Sequence, residues 1–240
     1  MLSSSYHFSW QKRTLDVCLA LTFLIFLFPL FCGVVLLVLA TSGTPILFWQ
    51  ERLGHNKKPF KMLKFRTMRP GAEQMKEKLI PHNEAPWPMF KMKNDPRFTQ
   101  VGRFLSRSGL DELPQFFQIL TGEMSFVGPR PLPVPEAKSL PRSWAFRYEV
   151  KPGILSEWAI APDRYASLKR WRELELETVK KGSLFNDLRI IGRGFFFMVY
   201  ANKTLLTDKP KVRTRRPRPS VATQNLPIGS RKRAPLGSFA

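Results

Sequence analysis

Cysteine and histidine are scarce in this chain. The two cysteines, Cys18 and Cys32, fall in one apolar stretch, which gives no basis for a disulfide framework or a cysteine-built zinc site. So low a cysteine content fits a reducing compartment. The three histidines, His7, His55 and His82, are far apart and show no metal-ligand spacing, so they read as surface or loop residues. Acidic side chains are also few. There are 18 against 39 basic ones, a formal net charge of +21. The excess is uneven, because residues 201–240 hold 10 basic side chains against Asp208 alone. A field of that sign draws polyanions: nucleic acid, anionic lipid or phosphorylated substrates. No nucleic-acid-binding motif is present, so nucleic acid is not an expected partner.

Long apolar runs are limited to one. Val17 to Ala40 contains no charged residue. As a straight helix it would be ~36 Å long at ~1.5 Å per residue, against a bilayer core of ~30 Å. A secretory signal peptide fits it less well, since the run is longer than a usual h-region and lacks a clear small-x-small cleavage site. Pro29 lies in mid-run and predicts a kink, because proline removes a helix donor and frees a carbonyl one turn earlier. Lys12 and Arg13 precede the run, and Arg52, Lys57, Lys58, Lys61, Lys64 and Arg66 follow it. Basic flanks prefer the cytoplasm. A helix that dips into the membrane and returns at Pro29 keeps both flanks inside. On composition alone, an ordinary signal anchor with the large domain inside is equally open.

Beyond the run, Ile46–Glu51 and Phe60–Met68 read as short strands separated by the turn-rich segment Gly54–Pro59, a hairpin pattern. Lys64 and Arg66 would share one face of the second strand by period two. Two cations side by side there suit a diphosphate, and a solvated strand face accounts for them equally well. Residues 70–100 carry five prolines and read as a helix over Ala72–Leu79 followed by a long loop. Trp87, Met89 and Phe90 in that loop suit a lid or a membrane contact.

Val101–Ser106 has helical spacing. A further helix is expected to begin near Asp111, with Leu113, Phe116, Phe117 and Leu120 at i, i+3, i+4 and i+7. Leu168–Lys181 and Leu184–Tyr200 read as two more helices. The second is apolar nearly all round at its end, which suits either a membrane interface or a buried terminal helix. From about Asn202 the chain is rich in Pro, Arg, Lys, Ser and Thr, a composition too poor in apolar surface to fold.

Asp111 and Glu112 stand together where that helix should start, with Pro114 in its first turn. Locally this is an ordinary capped helix, whose dipole also stabilises an anionic Asp.

The surrounding segments carry a resemblance. In order they are Lys12-Arg13-x-x-Asp16, Gln50-Glu51-Arg52-Leu53-Gly54, Lys64-Phe65-Arg66-Thr67-Met68, Asp95-Pro96-Arg97-Phe98-Thr99, and Val101-Gly102-Arg103-Phe104-Leu105. Leu110-Asp111-Glu112-Leu113-Pro114-Gln115 and the run from Gly122 to Pro131 follow, with fainter matches at Pro152-Gly153-Ile154 and Ser183-Leu184-x-x-Asp187-Leu188. Over about residues 10–200 the chain resembles the bacterial sugar transferase family, the monotopic phosphoglycosyl transferases that begin glycan assembly on a polyprenyl phosphate.

The resemblance implies an α+β, mostly helical fold. It would have a re-entrant N-terminal membrane helix, a small cytoplasmic catalytic domain with a short β-hairpin, and interfacial amphipathic helices. The expected division is an N-terminal segment (1–12), a membrane-embedded helix broken at Pro29 (13–43), a transferase domain (44–201) and a basic disordered tail (202–240). Localisation would be the bacterial inner membrane. By resemblance Asp111 and Glu112 are the catalytic dyad. Asp111 attacks the sugar-bearing phosphate of a UDP-sugar, UMP leaves, and undecaprenyl phosphate takes the phosphosugar from the aspartyl intermediate. Mg²⁺ is the expected cofactor, with Asp111 and Glu112 as its candidate ligands.

Arg130, between two prolines, is the leading phosphate-binding residue, followed by Lys64, Arg66, Arg97 and Arg107. Expected partners are the UDP-sugar, undecaprenyl phosphate, anionic lipid at the basic tail, and glycan-assembly proteins or a second copy of the chain.

The chain departs from the family pattern at several places. Phe28 replaces the usual Ser before the membrane proline, which predicts a less sharp break. Ser106-Arg107 replaces an Arg-Lys pair. Leu155-Ser156-Glu157-Trp158 replaces Thr-Gly-x-x-Gln. Glu175 and Thr178 replace Asp and Tyr. A non-catalytic membrane scaffold of a glycan-assembly complex is the alternative these departures raise.

Overall fold

A computed structural model describes residues 5–207, with side-chain environments as far as Met198. Of the basic tail expected to be disordered over 202–240, residues 202–207 instead continue the last helix, and the rest lies outside the described residues, together with the disorder and lipid contact expected of it.

The apolar run folds as two helices, α1 (Trp10–Phe26) and α2 (Phe28–Ser42), bent by 63° at Leu27. Pro29 sits in the first turn of α2, where a missing N–H costs nothing, and it prevents α1 from continuing through. The bend is sharp without the serine that the family pattern supplies, which corrects the expectation of a weak break. The Leu27 N–H donates to Phe23 O and the Phe31 N–H to Leu27 O, each at 2.8 Å, so backbone atoms do the bonding at the turn. The two helices would be ~26 and ~23 Å long. Among the described residues no single helix is long and apolar enough to cross a membrane, and the bent pair meets that test only together.

Both outer ends of the pair are fastened to the same body. On α1, Lys12 Nζ bonds Asp187 at 2.6 Å and Asp16 at 3.2 Å. Asp16 accepts from Ser125 Oγ and the Phe126 N–H. Arg13 donates to the Ile119 and Leu120 carbonyls at 2.6 Å. On α2, the Arg66 guanidinium donates to the carbonyls of Ser42, Gly43 and Thr44, capping acceptors that a helix C-terminus leaves open. The elbow between these ends exposes Ile25, Phe26 and Phe28.

His7 is buried, contrary to its reading as a surface residue. Its Nε2–H donates to Val179 O at 2.9 Å, and burial pulls its pKa down. The space for the ring comes from Gly182, where a Cβ would lie 2.3 Å from His7 Nε2.

The hairpin forms as expected. β1 (Leu47–Leu53) pairs antiparallel with β2 (Pro59–Phe65), with Gln50 opposite Met62. Its turn needs positive φ at Asn56 and Lys57. A second pair was not legible in the sequence: β3 (Ser125–Val127) runs parallel to β4 (Gly153–Leu155). Just past β3 the backbones nearly touch, because a Cβ on Gly153 would lie 2.2 Å from Gly128 N.

The remaining helices are α3 (Ala72–Leu79), α4 (Gln100–Ser108), α5 (Gln115–Thr121), α6 (Val134–Lys138), α7 (Glu157–Ile160), α8 (Leu168–Lys180) and α9 (Leu184–Thr207). One part of the core packs Trp144, Trp158 and Trp171 with Met89. A second packs Ile119, Met124, Phe126 and Ile190 against Ala20 of α1. A third joins Val34 and Val38 of α2 to Phe65, Leu105 and Leu113. The burial of Met89 removes it from the expected membrane contact, while Trp87 stays exposed. On α9, Phe185, Leu188, Phe195 and Phe196 are exposed, so this helix is not a buried terminal one.

Candidate active site

The site is built where α4 ends. Gly109 takes φ 77°, a left-handed conformation open to glycine, and turns the chain out of α4. Leu110–Glu112 then make one 3₁₀ turn, and α5 begins three residues later, behind Pro114. Asp111 is therefore not a helix cap, which corrects the local reading. The Glu112, Leu113, Phe116 and Phe117 N–H groups each bond three residues back, a tighter winding than an α-helix. Asp111 faces inward and is 4% exposed.

The hairpin supplies the first cation. Gln118 of α5 clips the edge of β2, its Oε1 accepting from the Leu63 N–H at 2.8 Å and its Nε2 donating to Lys61 O at 2.9 Å. With the strand so fixed, Lys64 Nζ lies 2.8 Å from Glu112 Oε1 and 3.6 Å from Asp111 Oδ2. Arg130 supplies the second cation, its Nη2 lying 2.6 Å from the same Glu112 oxygen.

These charges separate the two carboxyls. Burial pushes Glu112 up, but Arg130 and then Lys64 overcome it and hold the group well below the usual carboxylate range. Burial also pushes Asp111 up. Lys64 pulls against it, but the charge of Glu112 adds to the rise, and Asp111 ends above its ordinary value. Arg130 is raised by Glu112.

The Arg130 loop is braced from behind. Pro129 O accepts from the Gly153 N–H at 3.0 Å. Arg147 Nη2 donates to Arg130 O and reaches Glu175, whose carboxylate also accepts from Trp171 Nε1 at 2.9 Å. Thr178 Oγ1 accepts from the Glu157 N–H. Two of the sequence departures, Glu175 and Thr178, thus lie in the buried packing behind the loop rather than in the cleft.

The dyad opens on a cleft of about 610 Å³. Its polar part includes Arg52, Lys64, Arg130, Arg164 and Tyr165, with Ser106 and exposed Arg107 at its side. Its apolar part includes Leu155, Ile191 and Phe195. A second hollow of about 500 Å³ lies in the elbow of α1 and α2 and is lined by apolar residues. Phe23, Leu27, Leu113 and Phe116 line both spaces. The loop ahead of α4 forms one wall through Met89 and Phe90 and is stapled by Asn83, which bonds Ala85, Met89 and Lys91.

Lys64, Arg107 and Arg130 are thus brought to the dyad's cleft, and Arg66 and Arg97 are not. Arg66 caps α2, as described. Arg97 is buried in a forked pair with Asp95, Nη2 to Oδ2 at 2.6 Å, and stacks on Phe90. Sequence reasoning missed Arg52, Arg164, Tyr165 and the clip Gln118. Arg52 stands in the Gln50–Gly54 motif, which was the available signal for it. Among the described residues no group of three or more His, Cys, Asp or Glu is placed to hold a metal. Asp111 and Glu112 do fit Mg²⁺ by donor chemistry. They are adjacent hard oxygen donors, Glu112 Oε2 is left over from the two cations, and Mg²⁺ commonly takes one or two carboxylates plus substrate phosphate.

The bacterial sugar transferase family matches residues 7–201. The galactosyl transferase CpsE of Streptococcus agalactiae is 37% identical over 185 residues, covering 75% of this chain and 40% of that protein. The UDP-glucose:undecaprenyl-phosphate glucose-1-phosphate transferase of Escherichia coli is 36% identical, covering 75% of this chain and 38% of that protein. The exopolysaccharide production protein ExoY of Sinorhizobium fredii is also 36% identical, and 82% of it is covered. The chain spans about 40% of the length of the first two relatives.

Proposed function

The chain belongs to the bacterial sugar transferase family, and from that premise we propose that it transfers a phosphosugar from a UDP-sugar to undecaprenyl phosphate as the initiating membrane step of glycan synthesis. One observation carries the reading. A carboxylate pair, gripped by Lys64 and Arg130, stands among the basic side chains of a cleft that shares Phe23, Leu27, Leu113 and Phe116 with an apolar hollow. A nucleotide sugar suits the first space and an isoprenoid chain the second.

In this reading an Asp111 oxygen forms a bond to the sugar-bearing phosphorus. The diphosphate P–O bond breaks, and UMP departs with the electron pair. A phosphate oxygen of the lipid then attacks the same phosphorus and releases the Asp111 carboxylate. Lys64 and Arg130 offset repulsion between anions in both steps, since phosphoryl transfer is mostly positioning and charge stabilisation. Glu112 holds both cations in place. Asp111 and Glu112 would hold Mg²⁺, which when bound supplies positive charge to phosphate oxygens.

The test is UMP release by the purified chain given UDP-sugars, undecaprenyl phosphate and Mg²⁺. Turnover with at least one UDP-sugar is expected. Absence of turnover across a panel of them would favour a scaffold.

The bent pair would enter the inner membrane from the cytoplasmic side and return to it. Two facts support this: each helix is shorter than a bilayer core, and both outer ends bond to one body. Cysteines placed at Trp10, which is 75% exposed, and at Lys57 in a chain lacking Cys18 and Cys32 should both resist an impermeant thiol reagent in intact cells. Both should react after permeabilisation. Labelling of one site in intact cells would mean a spanning helix.

A further inference from the structure

With both carboxyls ionised, the charges at the centre of the site cancel. Asp111 and Glu112 are matched by Lys64 and Arg130, with contacts of 2.6 to 3.6 Å. A phosphate arriving there meets no net positive charge from these residues. A further cation is close by. Arg52, the sixth residue of β1, lines the cleft and is half-buried.

Its bonded partners are neutral. Nη1 donates to Pro131 O at 3.0 Å, and Nη2 donates to Gln50 Oε1 at 2.6 Å. Its Nε is shut off from solvent and has no hydrogen-bond partner. Among the described residues no carboxylate comes within ion-pair distance of it. Glu136, the carboxylate that acts on it most, is already bonded to Lys76 at 2.9 Å. Burial, and next the charge of Arg130, pull the Arg52 pKa down to about 10. A guanidinium held by neutral oxygens beside a second guanidinium is unfavourable until an anion reaches it.

Arg52 and Arg130 also lean on one segment. Arg52 bonds Pro131 O and bridges Pro133 through its backbone, so the two forks flank the same short loop. Guanidinium forks match phosphate oxygens in geometry as well as charge.

We propose that Arg52 binds a phosphate of the nucleoside diphosphate sugar, adding a positive charge to those of Lys64 and Arg130. Gln50 and Pro131 set the orientation of its fork. The proposal rests on the nucleotide-sugar reading of the cleft.

The test measures inhibition of turnover by UDP and by uridine with the full chain in lipid nanodiscs, comparing wild type, Arg52→Gln and Arg52→Lys. Arg52→Gln is expected to weaken UDP by about 10- to 100-fold, the range for losing a charged hydrogen bond. Uridine inhibition should stay as in wild type, and KM for the UDP-sugar should rise more than kcat falls. Arg52→Lys should recover part of the UDP affinity. Unchanged UDP inhibition in Arg52→Gln would overturn the proposal, and so would equal loss of UDP and uridine, the mark of a residue that merely shapes the loop. If Arg52→Gln does not fold, Arg52→Lys carries the same comparison at smaller amplitude. Failure of the wild type itself to turn over any UDP-sugar would overturn the nucleotide-sugar reading first, and this proposal with it.

Discussion

Asp111→Asn is expected to abolish UMP release, with turnover down by about 10³-fold or more, and at the same time to raise the thermal midpoint at neutral pH. The two effects have one cause. Burial holds the Asp111 carboxyl above its ordinary value, so the folded state binds that proton more tightly than the unfolded chain does. Such a group contributes stability that is fully present below its unfolded pKa and is lost as pH rises through the folded one. At neutral pH, above the unfolded pKa, burying Asp111 therefore works against the fold, and Asn removes that penalty. Each ~1 kcal/mol recovered would raise the midpoint by about 2–4 °C in a protein of this size. Retained turnover in Asp111→Asn would rule Asp111 out as nucleophile. A lower midpoint would mean that its charge supports the fold.

Glu112→Gln and Lys64→Met should move the acid limb of kcat/KM in opposite directions. On the proposed mechanism that limb reports ionisation of Asp111. Glu112 lifts the Asp111 pKa by its charge, so Glu112→Gln shifts the limb to lower pH. Lys64 lowers it, so Lys64→Met shifts the limb to higher pH. Glu112→Gln should also cost about 1.5–3 kcal/mol of stability, the scale of one hydrogen bond to a charged group, because Lys64 and Arg130 share that carboxylate oxygen. With Arg130 no longer anchored, turnover should fall by about 10²-fold, a scale set by small misplacements of a reacting group. pH profiles of both variants check this, and shifts of the same sign would break the assigned coupling.

The hairpin was legible because Gly54 to Pro59 concentrates turn residues between two apolar-rich runs. The break at Pro29 was legible for an equally local reason. The parallel pair β3–β4 was not, because three residues are too few for a period to show and the partner strand lies far along the chain. The start of α5 was misplaced because Asp-Glu-x-Pro is compatible with a capped helix, and only the tertiary structure places Asp111 in a buried 3₁₀ turn ahead of it.

The cations divide in the same way. Lys64 and Arg130 meet a carboxylate that the motif itself names. Arg66 meets three backbone carbonyls more than twenty residues upstream, and carbonyls leave no mark in a sequence. Arg97 finds its partner two residues away in Asp95, a short-range pairing that the spacing allowed but did not require.

The elbow of α1 and α2 hangs from two fixed points, the Lys12–Asp187 pair and the Arg66 cap. A spanning helix adapts to a thicker or thinner bilayer by tilting, since its ends are free to follow the two surfaces. Here the body itself sets how far Phe26 and Phe28 reach. On the re-entrant reading the immersion depth is a dimension of the protein, so the dyad would keep its height above the lipid chains in membranes of different thickness.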